Sequence, residues 1–342
     1  MKTLETSRLI MRAIKKDDFD AIHSYASCEE NIIYMLFDPN DEAATRSFIE
    51  CAMEFALKNP ITVYQFAVVL KENEALIGGC DLHYTGKNEA SIGWLLHRDY
   101  WGNGYGTELG RELFRFGFEE LNLRRITATC HAENTGSSRL MEKIGMRREG
   151  LFFDARPPHK KESRPFGDEL AYAMLKDEWD VQKEIAYYNA LPVTFNGFID
   201  IPKLNDGEIF LICTEKNPGI PEKKRVPEYR FAVCKDGEKI GDIGLRIGYT
   251  DGLYYGGQIG YGINESHRGK GYAANACRLL LPVAKAHNMV KLLITNNVTN
   301  HASIRVCEKL GARLVRIVRL PEWCELYKEG QRFSNIFEIC LS

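Results

Sequence analysis

The chain lacks the patterns that mark several protein classes. Its 342 residues contain no run of about 18 apolar residues, the length that a membrane-spanning helix needs, and its first residues lack the apolar core of a signal peptide. The ten cysteines are scattered, with no Cys-x-x-Cys pair and no Cys/His cluster at zinc spacing. We therefore expect reduced thiols, no metal site, no membrane contact and a cytoplasmic location.

The chain also has little net charge. It carries 45 Lys and Arg residues against 47 Asp and Glu residues, so no overall positive field favours nucleic acid. The basic run Arg156-Pro-Pro-His-Lys-Lys could attract an acidic partner or a phosphate, although such a run is also typical of a solvated loop. No Gly-x-x-x-x-Gly-Lys-Ser/Thr signature occurs, which excludes a P-loop nucleotide site.

The sequence does contain an internal repeat. The loop Trp101-Gly-Asn-Gly-Tyr-Gly has a counterpart in Arg268-Gly-Lys-Gly-Tyr-Ala, at an offset of 271 − 104 = 167 between the central glycines. Downstream, Asn134-x-x-Ser has a counterpart in Asn300-x-x-Ser, at an offset of 300 − 134 = 166. So long a period is not that of a solenoid and indicates a duplicated domain, as expected for a chain of this length.

Each copy shows the same order of hydrophobic patterns. In the first copy we predict strands at 64–70, 75–84 and 90–96, a helix at 106–120, a strand at 123–130 and a helix at 135–144. The second copy repeats this order at 230–245, 258–263, 273–287, 291–296 and 302–310. We assign one domain to 1–180 and a second, more divergent domain to 191–342. The connecting segment 181–190 has no Gly or Ser run, so we expect it to be helical.

The repeated loop has the chemistry of a phosphate site. A strand that leads into closely spaced glycines and then a helix offers unpaired N–H groups at the positive end of a helix dipole. A tight strand-to-helix turn could need the same glycines, but the loop recurs together with the downstream Asn-x-x-Ser. A Rossmann fingerprint needs Gly-x-Gly-x-x-Gly and a later acidic residue, whereas the spacing here is Gly-x-Gly-x-Gly. Glu133 is the one feature that favours a dinucleotide fold.

The loop Arg268-Gly-Lys-Gly-Tyr-Ala resembles the pyrophosphate motif of GNAT acetyltransferases, Gln/Arg-x-x-Gly-x-Gly/Ala. The loop Trp101-Gly-Asn-Gly-Tyr-Gly resembles the variant of that motif in the ribosomal-protein N-terminal acetyltransferase branch. The first copy resembles the ribosomal-protein N-terminal acetyltransferase branch along its whole length, from Thr6-Ser-Arg-Leu-Ile-Met-Arg to Asp168-Glu-Leu-Ala-Tyr-Ala-Met-Leu. The second copy is similar to GNAT domains mainly over 230–315. The resemblance implies an α/β (α+β) fold with two domains, each a mixed, splayed, mostly antiparallel sheet flanked by helices.

The resemblance also implies acetyl-CoA as co-substrate, with its pyrophosphate on the loop amides and its pantetheine arm along the preceding strand. A strand N–H near Leu95 in the first copy, and near Gly262 in the second, would polarise the acyl carbonyl. The implied cofactor-binding residues are Leu95, Trp101, Gly102, Asn103, Gly104, Tyr105, Gly106 and Asn134 in the first copy and Gly262, Arg268, Gly269, Lys270, Gly271, Tyr272, Ala273 and Asn300 in the second.

The residue that accepts the proton of the amine is not at its usual place. The position of the glutamate base in several GNAT enzymes matches Ser91 and Gln258, and neither is a strong base. A water-mediated relay or another carboxylate must then accept the proton. Glu89 lies one alternation earlier on the same strand face and is our first candidate, followed by Asp81 and Glu133.

The residue that protonates the departing thiolate is also atypical. The position of the frequent tyrosine acid matches Met141 and Cys307. The resemblance to the ribosomal-protein branch implies that Ser137 and Ser303 assist the thiolate. Asn-x-x-Ser before an apolar helix is equally typical of a helix cap.

These patterns predict an N-acetyltransferase that moves acetyl from acetyl-CoA to a primary amine, either a small molecule or a protein N-terminus. No Cys/His or Ser/His pair stands at a motif position, so direct attack in a ternary complex is favoured over an acyl-enzyme. The first copy is the better candidate catalyst. The missing carboxylate supports one alternative, a non-catalytic acyl-CoA-sensing or regulatory protein. A monomer and a homodimer are both compatible with the sequence.

Overall fold

A computed structural model describes residues 1–156 and 166–341 of the chain. The chain divides into two compact units, Met1–Asp180 and Val181–Ser342, which we call unit 1 and unit 2. Each predicted strand and helix is present, and most ends differ by one or two residues from the prediction. The helix predicted at 106–120 becomes π-helical after Arg115, and the predicted connecting helix begins earlier, at Lys176. No helix in the described part of the chain is both long and apolar enough to cross a membrane.

Unit 1 is built on one sheet. Its strands are β1 (Leu4–Glu5), β2 (Leu9–Ala13), β3 (Val63–Leu70), β4 (Leu76–Gly86), β5 (Glu89–Leu96), β6 (Arg125–His131), β7 (Arg147–Arg156) and β8 (Gly167–Leu175). Its helices are α1 (Phe19–Ala26), α2 (Glu29–Ile32), α3 (Glu42–Leu57), α4 (Tyr105–Arg115) and α5 (Thr135–Lys143). The strand order is β1-β2-β3-β4-β5-β6-β8-β7.

The sheet of unit 1 is mixed and splayed, as predicted. Its neighbouring strands are antiparallel except for β5 and β6, which run parallel. These two strands pair only from Glu89 to Ser91, opposite Arg125 to Thr127, and separate beyond that point. The splay leaves one edge of β5 without a partner strand.

Each face of this sheet has its own hydrophobic cover. The helical period of α4 and the π-helical turn that follows it buries Leu109, Leu113 and Phe116 against one face. On the other face α1 and α3 bury a smaller cluster around Ile22 and Ile49. The splay therefore opens between two layers of helices.

Unit 2 divides at the same place. Its strands are β9 (Leu204–Asn205), β10 (Phe210–Asn217), β11 (Glu228–Lys235), β12 (Glu238–Arg246), β13 (Ile259–Ile263), β14 (Lys291–Asn297), β15 (Arg313–Arg319) and β16 (Phe333–Cys340). Its helices are α7 (Asp251–Gly256), α8 (Tyr272–Ala286), α9 (His301–Lys309) and α10 (Glu325–Lys328), and α6 (Lys176–Asn189) covers the predicted helical segment. The strand orders are β13-β12-β11-β10-β9 and β14-β16-β15, with the break between the counterparts of β5 and β6.

Gln258 joins the two sheets of unit 2. Its backbone N–H donates to Leu293 O at 2.8 Å, and its side-chain Oε1 accepts the N–H of Leu293 at 2.6 Å. Its Nε2 donates to Gly248 O at 3.1 Å, and the residue is 1% exposed. Gln258 is thus a structural residue that holds the two sheets together beside the splay.

Candidate active site

The two glycine loops have the same backbone conformation. In unit 1, Gly102 and Gly104 have φ values of +78° and +81°, and in unit 2 Gly269 and Gly271 have φ values of +79° and +91°. Gly104 is the N-cap of α4 and Gly271 is the N-cap of α8. This left-handed region costs other L-residues roughly 1–2 kcal/mol, so the glycines are needed for the shape of the loop.

Both loops present a set of backbone donors. In α4 the first backbone N–H that donates to a backbone carbonyl is that of Glu108, which is 3.1 Å from Gly104 O. In α8 the first is that of Ala274, which is 3.0 Å from Gly271 O. Within residues 1–156 and 166–341, the N–H groups at 102–107 and 269–273 have no acceptor. These donors lie at the positive ends of the two helix dipoles. A pyrophosphate fits such a cradle.

The loop is fixed to the end of the splayed strand in both units. Leu96 O accepts a hydrogen bond from Trp101 Nε1 at 2.8 Å and from Asn31 Nδ2 at 3.1 Å. In unit 2, Ile263 O accepts one from Arg268 Nε at 2.9 Å. The offsets are 268 − 101 = 167 and 263 − 96 = 167, so two different side chains perform the same task at the same repeat position.

The backbone N–H and C=O groups of the even-numbered residues of β5 point to its open edge. The N–H of His97 donates to Ile77 O on the β4 side at 2.8 Å, while Leu96 O faces the splay. Because backbone groups alternate along a strand, the N–H of Trp94 faces the open edge and that of Leu95 faces β4. The candidate carbonyl-polarising donor near Leu95 is therefore the N–H of Trp94.

The same correction applies to unit 2. The N–H of Asn264 donates to Ile240 O on β12 at 2.8 Å. By the same alternation, Tyr261 and not Gly262 presents its N–H to the open edge of β13.

A cavity of about 920 Å³ opens at the splay of unit 1. The glycine loop and the start of α5 line one side of it, and β3, β4 and α1 to α3 line the other. The predicted residues that the structure brings together here are Leu95, Trp101, Gly102, Gly104, Tyr105, Gly106, Asn134 and Ser137. Asn103 is not among the lining residues, since its side chain donates to the carbonyls of Tyr100 and Trp101.

Two of the three candidate carboxylates lie on this cavity. Asp81 and Glu133 line it, whereas Glu89 is at the far end of β5 and forms an ion pair with Arg124. Asp81 replaces Glu89 as our first candidate for the proton acceptor. Sequence alternation alone could not exclude Glu89, because it does not show where along the strand the neighbouring strands separate.

Asp81 lies directly over the splayed strand. A Cβ placed on Gly93 would be 2.6 Å from Asp81 Oδ1, so the glycine leaves the space that this carboxylate occupies. Asp81 Oδ2 is 3.0 Å from Nδ1 of His83, and this hydrogen bond raises the pKa of the half-exposed imidazole. The carboxylate is therefore positioned both by the missing side chain at 93 and by a histidine.

The Asn-x-x-Ser segments are helix caps, as one of the two interpretations predicted. Asn134 Oδ1 accepts the N–H of Ser137 at 3.0 Å, and Asn300 Oδ1 accepts the N–H of Ser303 at 3.1 Å. The cap leaves the serine hydroxyl free for a second role. In unit 1 Ser137 and Cys130 line the same cavity, and burial raises the pKa of the Cys130 thiol to about 11.

In unit 2 the serine hydroxyl meets a phenol that the sequence patterns did not single out. The hydroxyl of Tyr261 is 2.7 Å from Ser303 Oγ, and burial raises the pKa of this tyrosine. Its place in the splayed strand, seven residues before Arg268, is the signal that could have identified it. Cys307 is fully buried and accepts a hydrogen bond from Asn296 Nδ2 at 3.6 Å, so it is a structural thiol.

Arg156, the first residue of the basic run, lies in the site. Its guanidinium is largely buried and lines the cavity of unit 1. Nη1 donates to Tyr34 O at 3.0 Å, and Nε lies 3.3 Å from Glu169 Oε2. The rest of the predicted basic run, 157–161, is outside the described residues.

Comparison with known proteins agrees with this geometry. The model of the acetyltransferase (GNAT) domain matches residues 8–147 and 202–313, one stretch in each unit. The chain belongs to the GNAT acetyltransferase family. The GNAT domain accounts for the strand, glycine loop and helix that both units share.

Individual GNAT relatives match a third to a half of the chain. The uncharacterised N-acetyltransferase YnaD of Bacillus subtilis is 34% identical over 179 residues, which are 52% of this chain and 99% of YnaD. YdaF of Bacillus subtilis, whose name places it among ribosomal N-acetyltransferases, is 30% identical over 111 residues, 32% of this chain and 58% of YdaF. A GNAT acetyltransferase structure from Bacillus anthracis is 35% identical, covers 52% of this chain and 100% of its own, and has a TM-score of 0.46.

Family membership fixes the general chemistry. GNAT enzymes are N-acetyltransferases that use acetyl-CoA and act on amines, and the protein is accordingly an acyltransferase. The unpaired N–H groups of the two glycine loops would hold the pyrophosphate of acetyl-CoA. Acetyl-CoA supplies the acetyl group.

Proposed function

We propose that unit 1 transfers acetyl from acetyl-CoA to a primary amine, on a small molecule or a protein N-terminus, by direct attack in a ternary complex. The observation that carries this proposal is the single cavity that the glycine-loop amides, the open edge of β5 and the carboxylate of Asp81 share. The amine, the thioester and a proton acceptor can therefore meet at one point.

The residues of unit 1 divide the task as follows. The N–H groups at 102–107 hold the pyrophosphate, and the N–H of Trp94 polarises the thioester carbonyl. Asp81 accepts the proton that the attacking amine must lose. A C–N bond forms as the C–S bond breaks, and the hydroxyl of Ser137 donates a hydrogen bond to the departing thiolate.

Glu133 is the second candidate for the proton acceptor. It lines the same cavity and lies between the end of β6 and the start of α5. Asp81 lies over Gly93, next to the strand N–H that would face the carbonyl. This placement favours Asp81.

We propose a different task for unit 2, which is the binding of acyl-CoA without transfer. In unit 1, α1 and α3 cover the sheet face that carries Asp81, whereas residues 181–227 of unit 2 contain no counterpart of α1 to α3 between α6 and β11. On that face of β11 and β12, the side chains of Arg230 and Asp242 are exposed. Gln258 is committed to the backbone around the splay. These features support an acyl-CoA site without an acceptor cleft.

The assay that tests both proposals measures thiol release from acetyl-CoA in the presence of a panel of amines. Gly104→Val and Gly271→Val force a β-branched residue into the left-handed region and so disrupt one loop each. We expect Gly104→Val to abolish turnover and Gly271→Val to leave it intact while removing one CoA site. The reverse pattern would assign catalysis to unit 2. Tight CoA binding by the wild-type chain with no turnover on any amine would instead support a non-catalytic acyl-CoA sensor.

A further inference from the structure

The N-terminal segment of unit 1 is attached to α4 through one carboxylate. Glu108 Oε1 accepts hydrogen bonds from Thr6 Oγ1 at 2.5 Å, Ser7 Oγ at 3.0 Å and the N–H of Arg8 at 2.8 Å. Glu108 Oε2 accepts one from Arg8 Nε at 2.7 Å. Burial on its own would raise the pKa of Glu108, but these hydrogen bonds lower it to about 2.

Arg8 continues from this carboxylate to the glycine loop. Its Nη1 donates to Asn103 O at 3.0 Å, and its guanidinium lies over the ring of Tyr105 at 4.5 Å from the centroid. Its Nη2 is 3.5 Å from the place where a Cβ on Gly104 would be. A single side chain therefore contacts Asn103 and Tyr105 and lies beside the glycine between them.

We propose that Thr6, Ser7, Arg8 and Glu108 form a clamp that positions the glycine loop for the pyrophosphate of CoA. This proposal rests on the function proposed for unit 1. Glycine-rich backbone loses more conformational freedom on ordering than other backbone, so a loop that is already held pays less of this cost when the ligand binds. The clamp residues are positioning residues, because they act through the loop amides.

Unit 2 holds its loop by different contacts. The position of Glu108 corresponds to Asn275, since 275 − 108 = 167, and Asn275 Oδ1 accepts a hydrogen bond from Arg278 Nη1 at 3.0 Å. Near the unit 2 loop, Lys309 Nζ lies 3.8 Å from the Cβ position of Gly271. The clamp is thus a feature of the proposed catalytic unit, and the Thr-Ser-Arg start of the sequence encodes it.

The decisive variants separate the ion pair from the loop contacts. Glu108→Gln removes the charged acceptor, and Arg8→Lys keeps a cation for Glu108 but loses the planar fork that also reaches Asn103 O. Both should raise the KM for acetyl-CoA about tenfold, the size of one lost charge-assisted hydrogen bond, with kcat and the KM for the amine unchanged. Arg8→Lys should melt within a degree or two of wild type, because the ion pair persists.

Two matched controls use ion pairs of the same N-terminal segment that do not touch the loop. Lys2 Nζ is 2.7 Å from Glu120, and Lys71 Nζ is 2.9 Å from Glu5. Glu120→Gln and Glu5→Gln should leave the KM for acetyl-CoA unchanged.

Direct binding separates the clamp from the proposed activity. In a Gly271→Val background, calorimetry with CoA reports unit 1, and the same tenfold loss of affinity is expected for Glu108→Gln and Arg8→Lys. An unchanged affinity in both variants would overturn the clamp. The clamp would also be overturned if Glu108→Gln lost CoA affinity only in proportion to its loss of thermal stability while Arg8→Lys kept the wild-type affinity. Clamp-dependent CoA binding in a chain that acetylates no amine would refute the proposed function and leave the clamp standing.

Discussion

Substitution of Gly93 by alanine should displace the proposed proton acceptor without changing its chemistry. The new Cβ would lie 2.6 Å from Asp81 Oδ1, and an ordinary contact is about 3.4 Å, so the carboxylate must move by about 0.8 Å. Misplacement of a reacting group by about 1 Å costs on the order of a hundredfold in rate. We therefore expect kcat for Gly93→Ala to fall by roughly tenfold to a hundredfold.

Stability should change little in this variant. The group that must move is the carboxylate of Asp81, which can rotate. Alanine in a strand also gives a free energy of unfolding up to about 1 kcal/mol higher than glycine does. Gly260→Ala is the matched control, because position 260 is the repeat counterpart of 93 and a Cβ there meets nothing within 4 Å. It should retain the wild-type kcat.

A double-mutant cycle with Asp81→Asn makes the test quantitative. Asp81→Asn alone should lower kcat by roughly a hundredfold to ten-thousandfold, the usual contribution of a general base. If Gly93→Ala acts through Asp81, adding it to Asp81→Asn has almost no further effect. Steady-state kinetics that show wild-type kcat in Gly93→Ala, or fully multiplicative losses in the double variant, would refute the assignment of Asp81.

The hydrogen bond from His83 to Asp81 raises the pKa of His83 above its ordinary 6.5. Below that pKa the protonated imidazole neutralises the carboxylate, so we expect activity to rise as the pH increases through it. His83→Asn should abolish this limb of the kcat/KM profile, and an unchanged profile would exclude the pair. Burial opposes the low pKa of Glu108, yet its hydrogen bonds lower it from 4.5 to about 2, so its contribution to stability is full above 4.5 and is lost as the pH falls toward 2. Acid unfolding followed by circular dichroism should therefore show less loss in that window for Glu108→Gln. Leu113 is fully buried, and Leu113→Ala should cost about 2–5 kcal/mol in urea unfolding, with a value under 1 kcal/mol arguing against its place in the core.

The sequence patterns predicted the elements of the fold because those elements are encoded locally. The helical period of Leu109, Leu113 and Phe116 required a buried stripe, and the structure buries all three. The positive φ values of Gly104 and Gly271 follow from closely spaced glycines at a strand-to-helix turn. Such signals lie within a few residues of one another, so no knowledge of distant packing is needed.

The side-chain roles around the splay were less predictable. Periodicity placed Glu89 and Asp81 near the same strand, but only the pairing of β5 with β6 shows that Glu89 lies at the closed end. Whether the N–H of Leu95 or that of Trp94 faces the open edge depends on the register of β5 against β4. A shift of one residue would exchange the two N–H groups. Pairing partners are distant in sequence, so the patterns could not decide either point.

The sequence by itself determined the duplication, the two glycine loops and the family, because each depends on residue types at short, fixed spacings. Tertiary structure alone decided which of the candidate carboxylates face the cavity, which backbone groups Gln258 binds, and why Thr6, Ser7 and Arg8 stand beside Glu108, about 100 residues away. The physical reason is that a carboxylate or an amide gains its role from its partners, and the fold brings those partners from separate strands and helices.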